Sequence, residues 1–252
     1  MSDAVLLETR RLSRTFGALI AARDIDFRLE AGARHALIGP NGAGKTTFVN
    51  LLTGVIQPTR GEVLLHGRDI TGVAQAERVK LGIARTFQIN RLFRSLSVLE
   101  NVYIAIAERI GAAPSMFRPA GRRRDVIEEA MHLLETLRLT GDASHRIAEL
   151  PYGRQRLVEL AIALGLKPAV LLLDEPAAGV PSAESHIILD ALNSLPRDIG
   201  VLVIDHDMDL VFRFAERITV MVSGAVFATG TPREIAANPD VRAVYLGQAA
   251  HG

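Results

Sequence analysis

The sequence has no cysteine and no tryptophan among its 252 residues, and aromatic residues make up only 5% of it. Without cysteine the chain cannot form a disulfide framework, a thiolate zinc site, an iron–sulfur cluster or a cysteine nucleophile. The chain also lacks a large excess of positive or negative residues, because 29 Lys and Arg against 28 Asp and Glu leave a formal net charge of +1. Binding to nucleic acid through bulk charge is therefore disfavoured, and we expect no nucleic-acid partner.

Long hydrophobic runs are also absent, although 48% of the residues are hydrophobic. No apolar run approaches the roughly 20 residues that a membrane-spanning helix needs. The first residues lack the basic, apolar and small-residue order of a signal peptide. We therefore expect a chain that does not cross a bilayer and that folds around a sizeable core.

The residues that are present predict an alternation of strands and helices. Residues 5–8 and 24–30 predict an opening antiparallel sheet, and residues 63–65 a further strand. Residues 35–38 predict a buried strand that runs into a glycine-rich turn and a helix. The apolar face of that helix is predicted to consist of Phe48, Leu51, Leu52 and Val55.

Between about residues 88 and 150 the pattern changes to helices. One apolar stripe there consists of Val126, Ile127, Ala130, Leu133, Leu134 and Leu137. Strands at 170–173 and 201–204, with a helix at 187–195, then restore the α/β pattern. Ser223 and Gly224 predict a two-residue hairpin, which a short helix at 232–237 and a tail follow. The sequence therefore predicts an α/β fold with an inserted helical lobe.

The most specific motif is GPNGAGKT at residues 39–46, which matches GxxxxGK[ST] between an apolar strand and an amphipathic helix. Its glycines allow backbone N–H groups to turn toward a phosphate, and the helix N-terminus adds partial positive charge. Lys45 can reach the terminal phosphates and Thr46 can ligate Mg²⁺. The alternative is a merely structural glycine-rich turn with an exposed lysine.

Two acidic residues, Asp174 and Glu175, follow the predicted strand at 170–173. Ligands bind at the carboxyl ends of parallel strands, where Asp174 could hold Mg²⁺ and Glu175 could accept a proton from an attacking water. His206 follows another buried strand at the same edge and could contact a γ-phosphate. Alone, an acidic pair at a strand end can equally be a cap, so this assignment depends on the phosphate-binding motif.

With these motifs in this order, the sequence resembles the ATP-binding subunits of ATP-binding-cassette (ABC) transporters. The resemblance covers nearly the whole chain. The resemblance implies a P-loop NTPase of the ABC ATPase fold, with an N-terminal antiparallel β subdomain and an inserted helical subdomain. Residues 1–252 are then a single ATP-binding domain. Residues 1–87 and 151–252 would form its nucleotide-binding core, and residues 88–150 its helical signature subdomain.

The same resemblance assigns further site residues. Gln88, in RTFQ at residues 85–88, matches the glutamine that contacts Mg²⁺ or the attacking water. Phe16 matches the aromatic residue that stacks on adenine, the alternative being a core aromatic. LPYGRQ at residues 150–155 takes the place of the LSGGQ signature, whose remaining glycine, Gly153, faces the nucleotide of a partner subunit.

The implied site divides by role. The catalytic residues are Glu175, His206 and Gln88, and the Mg²⁺ ligands are Thr46, Gln88 and Asp174. The residues that bind ATP are Phe16, Gly39, Pro40, Asn41, Gly42, Ala43, Gly44, Lys45, Thr46, Thr47 and Gly153.

Two positions depart from the family pattern. Pro151 stands where the signature generally has Ser, so a hydroxyl that would bond the γ-phosphate of the partner's ATP is missing. Pro181 stands in the loop after Glu175 where related sequences usually have Asn or Asp. These two prolines leave open an alternative function, that of a subunit that binds nucleotide as a gate but does not hydrolyse it.

Several segments look closest to the ATPases of branched-chain amino acid importers, including DEPAAG at 174–179, NPDV at 238–241 and YLG at 245–247. This likeness implies ATP hydrolysis that powers import of branched-chain or other hydrophobic amino acids. Related ATPases serve amide, urea, aromatic-acid or lipopolysaccharide transport. An alternative from another class is a soluble ABC ATPase that acts on DNA or ribosomes.

The resemblance also implies partners. A second ATP-binding subunit, identical or paralogous, would complete each nucleotide site in a head-to-tail dimer. The remaining partners would be transmembrane permease subunits and, indirectly, a solute-binding protein. The chain would then be a peripheral protein on the cytoplasmic face of the inner cell membrane.

Overall fold

A computed structural model describes residues 4–86, 92–111, 124–181 and 185–249. The chain divides into two compact units. The core unit consists of Met1–Ile83, Ala169–Glu175 and Pro196–Gly252, and the helical unit of Ala84–Pro168 and Pro176–Leu195.

The described residues form strands and helices in alternation. The strands are β1 (Val5–Phe16), β2 (Leu19–Glu30), β3 (Arg34–Ile38), β4 (Arg60–Leu65), β5 (Arg68–Asp69), β6 (Ile83–Thr86), β7 (Val170–Asp174), β8 (Gly200–Ile204), β9 (Arg217–Val222) and β10 (Ala225–Gly230). The helices are α1 (Lys45–Thr53), α2 (Gln75–Lys80), α3 (Val98–Arg109), α4 (Arg124–Thr136), α5 (Tyr152–Gly165), α6 (Ser185–Asn193), α7 (Met208–Phe214), α8 (Pro232–Ala237) and α9 (Pro239–Ala249). Short 3₁₀ helices lie at Thr140–Asp142 and Ile147–Glu149.

The first sheet of the core unit is antiparallel, in the order β2-β1-β4-β5. It confirms the predicted opening sheet, but β1 and β2 are each 12 residues long. Their added residues, including 10–16, are mostly polar or exposed, so they lack the apolar alternation that marks a half-buried strand.

The second sheet has the order β10-β9-β3-β8-β7-β6. Strands β9, β3, β8 and β7 run parallel, and every residue of β3 and β8 is buried. This burial confirms the predicted central strands. The β9–β10 hairpin is also confirmed, since Ser223 and Gly224 have φ values of 48° and 80°, as a type I′ turn requires.

The apolar core of this unit gathers side chains from both sheets and from α1. At its centre Phe27 packs edge to face on Phe48, with ring centroids 5.5 Å apart. The prediction that Val55 belongs to the helix is wrong. Helix α1 ends at Thr53 because Gly54 adopts the left-handed conformation (φ 76°), and Val55 is 46% exposed.

The helical unit contains α3, α4, α5 and α6. Its predicted apolar stripe is buried at Val126, Ala130, Leu134 and Leu137. Helix α5, which the sequence assigned to the core, lies in this unit because it packs against α3, α4 and α6.

The C-terminal segment contains one predicted and one unpredicted helix. Helix α8 matches the prediction at 232–237, whereas α9 lies where the sequence predicted only a tail. Within the residues that the structure describes, no helix is both long and apolar enough to span a membrane.

Candidate nucleotide-binding site

The glycine-rich loop joins β3 to α1 and has a backbone that only glycine accommodates at two positions. Gly39 and Gly44 have φ values of 155° and 95°, and a Cβ on either would lie 2.3–2.4 Å from a carbonyl oxygen, of Met221 and of Ala21 respectively. Helix α1 then begins at Lys45 without a side-chain cap. The amides of its first turn can therefore face an anion.

The remaining loop residues present a mostly open surface. Asn41, Gly42 and Thr46 are exposed, and Pro40 and Thr47 are half-buried. Ala43 is buried, and its carbonyl accepts a 2.9 Å hydrogen bond from the N–H of Gly224 in the β9–β10 turn. The β9–β10 turn thus holds the backbone of the phosphate loop at Ala43.

Lys45 connects the loop with the acidic end of β7. Its Nζ donates to the carbonyl oxygens of Gly39 and Pro40, the latter at 2.9 Å. Partial burial lowers the pKa of Lys45, and the charges of Glu175 and Asp174 act in the opposite direction. The structure therefore places this ammonium within the electrostatic reach of both carboxylates.

Asp174 and Glu175 lie at the carboxyl end of β7, as predicted. Asp174 is the last residue of the strand and pairs in register with Ile204 of β8. Glu175 has a φ of 47°, and its N–H donates to the carbonyl of Ile204 over 2.7 Å. This left-handed turn fixes the point at which the Glu175 side chain leaves the sheet.

His206 contacts Glu175 at the same edge of the sheet. Its Nδ1 lies 3.3 Å from Oε1 of Glu175, and its side chain is 75% exposed. The neighbouring Asp205, whose carboxylate is only 3% exposed, is a residue of this edge that the sequence motifs did not predict. In the sequence, only the position of Asp205 between a predicted buried strand and His206 could have indicated a role in this site.

Phe16 ends β1 and is 45% exposed, which contradicts the alternative that it is a core aromatic. The guanidinium of Arg14 lies over its ring, 4.5 Å from the centroid. An exposed ring of this kind can stack on a planar group.

The donor set fits Mg²⁺ only together with phosphate. Among the described residues, no group of three or more His, Cys, Asp and Glu side chains could hold a metal ion. Mg²⁺ is typically held by one or two carboxylates together with substrate phosphates, and the hydroxyl of Thr46 and the carboxylate of Asp174 are hard oxygen donors of the required kind. Gln88, the third predicted ligand, lies outside the described residues.

Gly153 lies in the helical unit, in the first turn of α5. The residue before this helix is Pro151, which provides no side-chain cap, in agreement with the loss of a hydroxyl expected there. Gln155 is buried, and its Nε2 donates to the carbonyl of Leu150 over 2.9 Å. The first turn of α5 is thus held by the chain's own backbone.

The loop that carries Pro181 also packs on this turn of α5. Gly179 has a φ of 77°, and a Cβ there would lie 2.9 Å from the ring of Tyr152. The loop therefore keeps close contact with the signature helix inside the helical unit, although Pro181 replaces the expected Asn or Asp.

Comparison with known families identifies two matching regions. Residues 22–178 match the ABC transporter family, and residues 225–251 match the branched-chain amino acid ATP-binding cassette transporter family. The chain is 39% identical to the high-affinity branched-chain amino acid transport ATP-binding protein BraF of Pseudomonas aeruginosa. That alignment covers 97% of this chain and 98% of the relative.

Two solved structures are also similar. One is the ADP conformation of MJ1267, an ATP-binding cassette of an ABC transporter, with a TM-score of 0.84 and 29% identity over 96% of this chain and 99% of that one. The other is the dimeric structure of MJ0796, a bacterial ABC transporter cassette, with a TM-score of 0.74 and 25% identity over 90% and 99% of the two chains.

Proposed function

Because the chain belongs to the ABC transporter family as an ATP-binding ATPase subunit, we propose that its ATP hydrolysis powers import of branched-chain or other hydrophobic amino acids through separate permease subunits. The observation that carries the catalytic part is geometric: β3, which leads into the phosphate loop, and β7, which ends at Asp174, both pair with β8 and reach Ile204, and Glu175 contacts His206. Residues more than 120 positions apart in sequence thus meet at one sheet edge.

The phosphate loop would bind the triphosphate through backbone and side chain together. The first-turn amides of α1 and the ammonium of Lys45 present positive charge on the same loop, while Phe16 offers an exposed ring for adenine. Lys45 donates to two loop carbonyls, and on binding ATP it would exchange those partners for phosphate oxygens.

Hydrolysis would use the acidic edge. Glu175 would accept the proton of an attacking water, and His206 would hold the γ-phosphate. Thr46 and Asp174, with Gln88, would hold Mg²⁺, which neutralises charge on the phosphates when it is bound. The 3.3 Å contact with His206 would orient the Glu175 carboxylate for this role.

A second ATP-binding subunit would complete the site. The support is that a solved cassette similar to this chain is dimeric and that α5 begins beside Gly153 with an uncapped first turn. Such a helix terminus attracts an anion, as the γ-phosphate of a partner's nucleotide would be. The missing hydroxyl at Pro151 would weaken this contact without removing it.

The solute and the location follow from the relatives. BraF is by name a high-affinity branched-chain amino acid transport protein, and the C-terminal match names the same class of solute. We therefore place the chain as a peripheral subunit on the cytoplasmic face of the inner membrane, bound to its permease. A solute-binding protein would act with the complex indirectly.

Replacing the proposed base tests the catalytic part. Glu175→Gln is expected to keep ATP binding and to reduce turnover by about 10²–10⁴-fold, the usual contribution of a positioned general base. The measurement is steady-state ATP hydrolysis by the chain together with the membrane subunits that co-purify with it. Glu62→Gln, an exposed change on β4, is the matched control. Unchanged turnover in Glu175→Gln would contradict the proposed mechanism.

A further inference from the structure

A buried carboxylate lies next to the Glu175–His206 pair. Asp205 follows β8 directly and is only 3% exposed. Its Oδ1 accepts two backbone hydrogen bonds, from the N–H of His206 at 2.7 Å and from the N–H of Asp207 at 2.9 Å. Its Oδ2 is buried and has no hydrogen-bond partner among the described residues.

The loop that carries His206 is fixed on both sides. Asp205 holds the backbone at His206, and Asp207 caps α7 by accepting hydrogen bonds from the N–H groups of Asp209 and Leu210, at 2.9 and 3.3 Å. The N–H of Glu175 is bonded to Ile204, the residue just before Asp205. The backbone around Glu175 and His206 is therefore tied together by short hydrogen bonds.

The same carboxylate also faces the imidazole. Nδ1 of His206 lies 3.8 Å from Oδ1 of Asp205 and 3.3 Å from Oε1 of Glu175. Both neighbours are acceptors, so Nδ1 carries a hydrogen, and Nε2 can donate to a phosphate oxygen when the ring is doubly protonated.

Stability alone does not account for an aspartate at this position. Burial raises the pKa of Asp205, which means that its charged form is costly where it lies. Asparagine would provide the same acceptor for the two backbone N–H groups without burying a charge. The side chain that the charged carboxylate can orient is His206, whose Nδ1 lies 3.8 Å from Oδ1 of Asp205.

We infer that Asp205 is a positioning residue, which holds the backbone of His206 and orients its ring so that Nδ1 meets Glu175 and Nε2 faces the γ-phosphate. The inference rests on the proposed ATPase function, because it assigns a role to Asp205 only through His206. Asp205 itself touches neither the nucleotide nor the attacking water in this scheme.

A double-mutant cycle tests the connection through His206. Asp205→Ala is expected to lower kcat about tenfold or more and to change the KM for ATP by less than about threefold, since it disturbs orientation and not binding. In a His206→Ala background, the same change is expected to cost less than about twofold. Asp205→Asn, which keeps the acceptor, is expected to lose less activity than Asp205→Ala. An undiminished kcat in Asp205→Ala, or an equal further loss in the His206→Ala background, would overturn the inference.

Amide hydrogen exchange on the nucleotide-free chain provides a second test that does not depend on turnover. Asp205→Ala should accelerate exchange at the amides of His206 and Asp207, and Asp205→Asn should leave them protected. Asp209→Ala, an exposed change in the first turn of α7, should leave both amides as they are in the wild type. Unchanged exchange in Asp205→Ala would refute the positioning role, whereas a wild-type chain that does not hydrolyse ATP would refute only the proposed function.

Discussion

At the scale of single residues, burial controls the protonation of His35. It lies in β3 at the end opposite the phosphate loop and is 3% exposed. Its Nε2 lies 2.8 Å from Oγ1 of Thr219. Burial, with a smaller contribution from the charge of Arg217, lowers the pKa of His35 to about 4.

The low pKa predicts a loss of stability in mild acid. The unfolded chain takes up a proton at His35 near pH 6.5, whereas the folded chain does so only near pH 4. The contribution of His35 to stability is therefore complete above pH 6.5 and is lost as the pH falls toward 4.

We expect the wild-type chain to lose about 2 kcal/mol more than His35→Gln between pH 7.5 and pH 5, from about 1.36 kcal/mol per pH unit below 6.5. Denaturant unfolding of both proteins at the two pH values measures this difference. An equal loss in both proteins would mean that His35 is not responsible.

At the scale of elements, α1 is fixed at its C-terminal end by a buried arginine from α2. Arg78 is 0% exposed, and its Nη1 donates to the carbonyls of Leu51 and Leu52, each at 2.8 Å. Further donors reach the carbonyls of Val73 and Thr71. Two carbonyls in the last turn of the helix that presents the phosphate loop therefore accept hydrogen bonds from this one side chain.

Removing this arginine should destabilise the core unit. Arg78→Ala would remove one donor from each of four carbonyls and would open a cavity, so we expect a loss of about 3 kcal/mol or more in the free energy of unfolding. Arg68→Ala, an exposed change in β5, should cost less than about 0.5 kcal/mol. Chemical denaturation compares the two, and a similar small loss in both would contradict the role of Arg78.

The elements differ in how far the sequence could predict them. Strands β3 and β8 were predictable because every residue in them is buried, so the apolar run coincides with the strand. The outer parts of β1 and β2 were not, since backbone pairing forms them while most of their side chains are exposed or half-buried. Helix α9 was missed because its sequence carries only a weak apolar periodicity.

For the whole molecule, the site is assembled from distant parts of the chain. The phosphate loop was predictable because its residues are contiguous, and Asp174, Glu175 and His206 were predictable because parallel strands end at one edge. The sequence could not predict the 3.3 Å contact between His206 and Glu175, or the hydrogen bonds that the buried Asp205 accepts from the backbone at His206. Both depend on how β7 and β8 end relative to each other.

The central claim is that the loop at residues 39–46 binds the triphosphate with Lys45 as its cation. Calorimetric titration of ATP into the wild type, Lys45→Ala and the control Lys80→Ala tests it most directly. Lys45→Ala loses charge-assisted hydrogen bonds to phosphate, so its affinity for ATP should be at least about tenfold weaker than that of the wild type. Lys80 is exposed, and Lys80→Ala should bind ATP like the wild type. Undiminished affinity in Lys45→Ala would contradict the account.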